Sequence, residues 1–469
     1  MKKIICLAVA LCLAVCLFAC GETKTDPTPT PTAAPTAMPP TTEPTPTADP
    51  TVLPTEIPEN AIVFSDSGAT GAGTIEGTVV TITAGGTYTV TGNCANGQIV
   101  VNAPDEKVTL VLSGLSLTCT TSAPLYLMDA DKLTLELVGD NRLADTDRSG
   151  EKPKGAMQLK EDTKITGNGK LTVTGKNVSA LRCDGDLKIE NCTLVLSSPD
   201  DTLTCEGELT LNANINVTSE AGDGIKTSIY NPEKEKKGNL LIEGGTVVTV
   251  TGGDGIQAER DLSIGGGASV TVTAGGGHTE PDNDASKGIK ANGRLEIRGS
   301  TVVIDARCDG LSSGGEAKDK DDNPYTLAGG MLLSESQITV KTGVDGVQSD
   351  AEIVISGCTL TVEAGNAGNF AAEIKERGVK ADGAVTITDS TLDIAAYFDG
   401  INAAGVLTVS GGTASVWSRG KNPLQSDESI LLNKGAKITA YGKSAKKVAM
   451  PPNMTLEDGA TFDGQIKEN

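Results

Sequence analysis

Six aspartates recur at one place in a short repeated unit: Asp201, Asp223, Asp254, Asp309, Asp345 and Asp399. The copies read DTLTC from Asp201, DGIKT from Asp223, DGIQA from Asp254, DGLSS from Asp309, DGVQS from Asp345 and DGINA from Asp399. In KGIKA and RGVKA the acid is replaced by Lys287 and Arg377. A column of carboxylates suits two kinds of chemistry. It offers the oxygen-rich surroundings of Ca2+, which takes roughly six to eight oxygen ligands without strict geometry. Alternatively, each carboxylate accepts hydrogen bonds from turn amides. Both readings of the six aspartates as ligands or as turn caps stand at this point.

One residue past the apolar position of each unit come Lys226, Gln257, Lys290, Gln348 and Lys380. Cations and amides in a row suit the hydroxyls and carboxylates of a polysaccharide. Two longer insertions carry a tyrosine each, Tyr230 and Tyr325, and an aromatic ring is a platform on which a sugar stacks. The other reading of the row is a solvated face, and of the tyrosines, loop packing.

Whatever they do, these residues must be placed by the repeat itself. Copies recur at a base spacing of about 22 residues, lengthened where segments are inserted, as expected of a solenoid. Within a unit the alternation has period two: Ile256 and Ala258 point one way and Gln257 the other. Leu262 with Ile264, and Val270 with Val272, repeat the pattern twice more before the next unit. Three short strands per coil predict an all-β chain folded as a parallel β-helix, each strand pairing with its counterpart roughly 4.8 Å away. The inward columns are then large (Leu181, Leu203, Ile225, Ile256) and, beside them, small (Cys183, Cys205, Thr227, Ala258). Neighbouring carboxylates repel by on the order of 3 kcal/mol at an effective dielectric near 20, and Lys287 and Arg377 are placed to offset part of that. The order of units and insertions recurs after about 90 residues, so a three-coil module is duplicated and two similar sites, each with its own loop pair, are expected.

The rest of the chain bounds the setting. Residues 1–20 place Lys2 and Lys3 before an apolar run ending in Leu17-Phe18-Ala19-Cys20, a lipoprotein export signal that makes Cys20 the lipidation site. Residues 21–59 are a Pro/Thr-rich linker, 60–120 an N-terminal cap region and 121–466 the β-helix. This predicts a single-copy protein on the outer face of a bacterial cell membrane, touching the membrane through its anchor alone. A net charge of −22 disfavours nucleic acid, whose binding rests on cationic patches. Seven cysteines follow the anchor without paired metal-ligand spacing; buried free thiols are expected, with a Cys183–Cys205 bridge as the alternative. His278, the sole histidine, excludes a histidine-based triad or histidine-rich metal site.

In the units DGIKT, DGIQA, KGIKA, DGLSS, DGVQS, RGVKA and DGINA the chain resembles the bacterial carbohydrate-binding lipoproteins with a pectate-lyase-like right-handed parallel β-helix, over about residues 60 to 465. The resemblance implies Ca2+ held on the β-helix and affinity for cellulose-like and acidic pectic polysaccharides, without catalysis. Lys287 and Arg377 depart from the acidic first position, so calcium is not expected at those two coils. Two other classes remain. A calcium-dependent polysaccharide lyase would cast Lys226, Lys290 or Lys380 as base, which needs a strongly lowered pKa. An adhesin or spacer binding protein would use the same stalked design.

Overall fold

The computed structural model describes residues 60–279, 286–365, 375–442 and 448–466. The export signal with Cys20, the linker, and parts of the insertions before Lys287 and Arg377 lie outside the described residues. Every regular element among them is a β-strand.

Period-two alternation dictates the packing. In Ile256–Ala258, Ile289–Ala291, Val379–Ala381 and Ile401–Ala403 the outer residues are buried and the middle one is partly exposed. Each of these three-residue strands is too short to hold alone, and each pairs in parallel with its counterpart in the next repeat. Ile225 lies beside Ile256, Ile256 beside Ile289, and Ile289 beside Leu311. This first ladder runs from Gln98–Cys119 through Leu125–Val138, Gly155–Leu159 and Ser179–Cys183 to Leu424–Ser426. A second ladder joins Leu262–Ile264 to Leu295–Arg298, Met331–Ser334 and onward to Met454–Leu456. A third joins Ser269–Ala274 to Thr301–Ala306, Gln337–Thr342 and onward to Thr461–Ile466. In earlier repeats the second and third are served by one long strand, such as Leu187–Ser198 or Leu209–Ser219.

One apolar cluster fills the space between the ladders, from Ile62 to Met454. Identical rungs stack in register, so like side chains pack on like: Leu181, Leu203, Ile225, Ile256 and Ile289 are all fully buried. The small column beside them is equally buried, and its polar members are satisfied locally. Thr227 Oγ1 donates to the Gly238 carbonyl at 2.6 Å and accepts the Glu259 amide at 2.8 Å. Cys183 and Cys205 lie on paired rungs as free, buried thiols with no bridge between them, and Cys94, Cys119, Cys192 and Cys358 are likewise free and buried.

Two local features differ from the sequence reading. Parallel pairing begins inside the region taken as a cap, where Gln98–Cys119 already pairs with Gly86–Cys94 and Leu125–Val138. Within that region the antiparallel pairs are those of the first strands, Ala61–Ser65 with Gly68–Gly71 and Thr74–Glu76 with Val79–Ile82. The insertion after Asp309 is no irregular loop: Gly315–Lys318 and Pro324–Leu327 form an antiparallel hairpin of their own.

Candidate functional site

The Asp-Gly pair in each unit has two separate causes. The glycine is set by crowding. A Cβ on Gly255 would stand 2.6 Å from the Gly288 carbonyl oxygen and would also collide with Val272 Cγ1. The same holds up the column, with Gly224, Gly288, Gly310, Gly346 and Gly378 each 2.5 to 2.6 Å from the carbonyl of the next glycine. Successive turns approach too closely here for any side chain.

The aspartate before it is set by an unpaired amide. Asp223 Oδ1 accepts the Asp254 N–H at 2.8 Å and Asp254 Oδ1 accepts the Lys287 N–H at 2.7 Å. Asp201, Asp309, Asp345 and Asp399 do the same for Asp223, Asp345, Arg377 and Asn422, at 2.8 to 3.1 Å. Each carboxylate thus caps the amide one repeat on, where no carbonyl reaches. The device is not confined to this column: Asp162 caps Asp186, Asp186 caps Glu208, and Asp261 caps Arg294 at another turn.

The second carboxylate oxygens carry the charge that must be balanced, and protein groups face most of them. Lys226 Nζ lies 2.6 Å from Asp201 Oδ2 and 3.1 Å from Asp223 Oδ2. The Gln257 amide nitrogen, correctly oriented, reaches Asp223 Oδ2 and Asp254 Oδ2 at 3.2 and 3.3 Å. Lys287 Nζ is 3.0 Å from Asp309 Oδ2, and the Arg377 guanidinium sits between Asp345 and Asp399 at 3.7 and 4.0 Å. Burial sets the remaining balance. It raises Asp254 and Asp399, and with the nearby Asp309 charge it pushes Asp345 up to about 7. Burial alone would lower the Lys226 ammonium, but Asp223 and Asp201 outweigh it and raise it above the ordinary lysine value. Lys226 is therefore no general base near neutrality.

These contacts test the fit of a calcium ion. The six aspartates have one oxygen given to an amide, and most have the other facing an ammonium, guanidinium or amide nitrogen. An ion between Asp201 and Asp254 would have to displace Lys226 and Gln257. Among the described residues no group of three or more His, Cys, Asp or Glu is placed to hold a metal. The donor set fits Ca2+ poorly.

Beside the ladder the polar row is in register over its whole length: Arg182, Thr204, Lys226, Gln257, Lys290, Ser312, Gln348, Lys380, Asn402 and Gln425 pair rung by rung. It is less even than a flat, exposed stripe. Thr204 and Ser312 are fully buried and Gln348 is 8 % exposed, because long neighbours lie across them. Lys287 Nζ donates to Ser312 Oγ at 3.0 Å, and Ser312 Oγ donates to Gln348 Oε1 at 2.8 Å. Lys226, Gln257, Lys290 and Lys380 remain partly exposed. The row also continues upstream to Gln158 and Tyr126, which the Asp-Gly motif does not mark. The alternation in PLYLMDADKLTLEL was the available signal.

The two tyrosine loops do not form separate sites. Tyr230 N donates to the Lys318 carbonyl at 2.7 Å, and the Tyr230 and Tyr325 ring centroids are 5.2 Å apart. The Arg260 guanidinium lies 5.5 Å from the Tyr230 ring, whose residue is buried. Equivalent loops of the two modules have thus docked on each other, and Tyr230 is spent in that packing while Tyr325 stays half-buried.

The profile of carbohydrate-binding domain-containing proteins matches residues 76–330 and 286–422. A protein of that description from Acetivibrio thermocellus is 33% identical over 219 residues, spanning 44% of this chain and 76% of its own. A solved structure, described as the polysaccharide lyase-like protein from C. thermocellum in a gadolinium derivative, is similar at 31% identity over 50% of this chain and 96% of its own, with a TM-score of 0.44. With the matched stretches running from residue 76 to residue 422, the chain belongs to the carbohydrate-binding domain-containing protein family.

Proposed function

We propose that this protein binds polysaccharide without cleaving it, laying an extended glycan along the polar row beside the aspartate ladder. Its three ladders are read as a right-handed parallel β-helix, and its N-terminal segment as the lipid anchor, through Cys20, of a cell-surface protein. The observation that carries the reading is the in-register row from Arg182 to Gln425. Its rungs recur at roughly 4.8 Å, close to the rise of one sugar residue in an extended chain, so equivalent hydroxyls meet equivalent donors at successive rungs. Partly exposed Lys226, Gln257, Lys290 and Lys380 supply those donors, and acidic sugars add a charge for the lysines to hold. Against a lyase stands Lys226, whose ammonium is held protonated by two aspartates.

The aspartate column is assigned to capping and charge balance, and binding is expected to be independent of calcium. Retention of the intact protein on insoluble cellulose and on polygalacturonate, each with calcium and with chelator, tests both points. No retention on either glycan refutes the binding reading. Release of unsaturated oligouronides, seen by absorbance, replaces it with a lyase. A melting temperature or retention that falls on chelation returns calcium to the ladder.

A further inference from the structure

At its N-terminal end the polar row runs into a cavity of about 390 Å3, within the roughly 300–1,000 Å3 usual for small-molecule sites. The rungs Tyr126, Gln158 and Arg182, paired side by side, form its floor. Lys152 and Lys154, just before the strand Gly155–Leu159, and Lys160, just after it, form its rim. The Lys160 ammonium lies 5.5 Å from the centre of the Tyr126 ring.

The charge at this place runs against that of the molecule. The whole chain carries −22, yet the cavity gathers three lysines and an arginine against two carboxylates, Asp184 and Glu206. Both carboxylates belong to Arg182: Glu206 Oε1 accepts from its Nη2 at 3.1 Å, and Asp184 Oδ1 lies 3.9 Å from its Nε. Among the described residues no carboxylate lies within ion-pair distance of Lys152, Lys154 or Lys160. Three lysines therefore line a cavity floored by a partly exposed tyrosine ring, one of them over the ring itself and none of them in an ion pair. A ring takes the apolar C–H face of a sugar, and a convergent set of ammonium groups takes a carboxylate. Both needs are met by one kind of ligand.

We propose that this cavity is a subsite for an acidic sugar residue, a uronate unit of a polysaccharide. Tyr126 stacks on the pyranose face, Lys152, Lys154 and Lys160 hold the carboxylate, and Gln158 with the braced Arg182 reaches the ring hydroxyls. The assignment rests on the polysaccharide-binding reading and gives one end of the row a preference for charged glycan.

The test is affinity electrophoresis of the intact protein through gels containing polygalacturonate, its methyl ester, or a neutral soluble cellulose derivative. Wild type is expected to be retarded most by polygalacturonate. Combined Lys152→Ala, Lys154→Ala and Lys160→Ala should raise the apparent Kd for polygalacturonate at least tenfold and leave the cellulose derivative unchanged; Tyr126→Ala should weaken both. A control set of equal charge change, Lys107→Ala, Lys132→Ala and Lys437→Ala, should have little effect. Equal retardation of wild type and cavity variant by polygalacturonate overturns the subsite alone. Equal loss in the control set overturns it as well, since net charge then explains the binding. Wild type unretarded by any of the three glycans overturns the broader binding reading with it.

Discussion

Asp345 offers the sharpest test of how the ladder holds its charge. Its side chain is 7 % exposed, Oδ1 accepts the Arg377 amide at 2.8 Å, and the nearest cation, Arg377 Nη1, is 3.7 Å away. Burial and then the Asp309 charge push its pKa from 3.8 up to about 7. An acid raised in the folded state loses its proton later than in the unfolded chain. Between pH 4 and pH 7 the native state therefore binds the extra proton, and stability falls as pH rises, with the full loss present above pH 7. A shift of about three units corresponds to about 4 kcal/mol. Asp345→Asn keeps the acceptor for the Arg377 amide and removes the titration. Guanidinium unfolding followed by far-UV circular dichroism, compared at constant m, should show the variant gaining about 4 kcal/mol on wild type between pH 4 and pH 8. A difference that does not change with pH refutes the argument, as does a variant less stable than wild type at pH 8. If that loss appeared only with calcium present, the carboxylate would be an ion ligand instead.

Lys226 should matter in the opposite sense. Lys226→Met leaves Asp201 and Asp223 facing each other across one rung without the ammonium 2.6 and 3.1 Å from them, and should cost about 2 kcal/mol in denaturant unfolding at pH 8; an equal cost for Lys226→Arg, which keeps the charge, would remove the electrostatic explanation. Gly288→Ala drives a Cβ to 2.6 Å from the Gly310 carbonyl and into Ile304 Cγ2, and should cost about 3 kcal/mol or more by thermal unfolding. Gly299→Ala meets nothing within 4 Å and bears only its φ of +54°, so about 1 kcal/mol is expected; the two costing the same would place the first effect in backbone strain rather than in turn-to-turn contact.

Much of this architecture is written in short-range pattern. Alternation of Ile256, Gln257 and Ala258 says which residues go inward, and recurrence of the unit says what stacks on what, because in a repeat each rung's neighbour is a copy of itself. The parallel ladders, the large and small columns, and the placing of Lys287 and Arg377 beside the aspartates follow from that alone. The two-site expectation for the tyrosine loops failed because contact between Tyr230 and Tyr325 depends on how far each insertion reaches from the coil, which no repeat encodes. Burial of Thr204, Ser312 and Gln348 likewise depends on where the long side chains of other rungs lie down.

The sequence by itself determined the register, the core and the existence of an acidic column flanked by a polar row. Only the tertiary structure shows which amides the acids cap. A carboxylate before glycine offers two oxygens, and whether an amide takes one of them turns on whether an unpaired N–H one repeat away falls within 3 Å, as Lys287 N does for Asp254 at 2.7 Å. The cavity at Tyr126 was decided there too, since its lysines come from both ends of the strand Gly155–Leu159 and share one cavity with the ring only when that strand is laid on its neighbour.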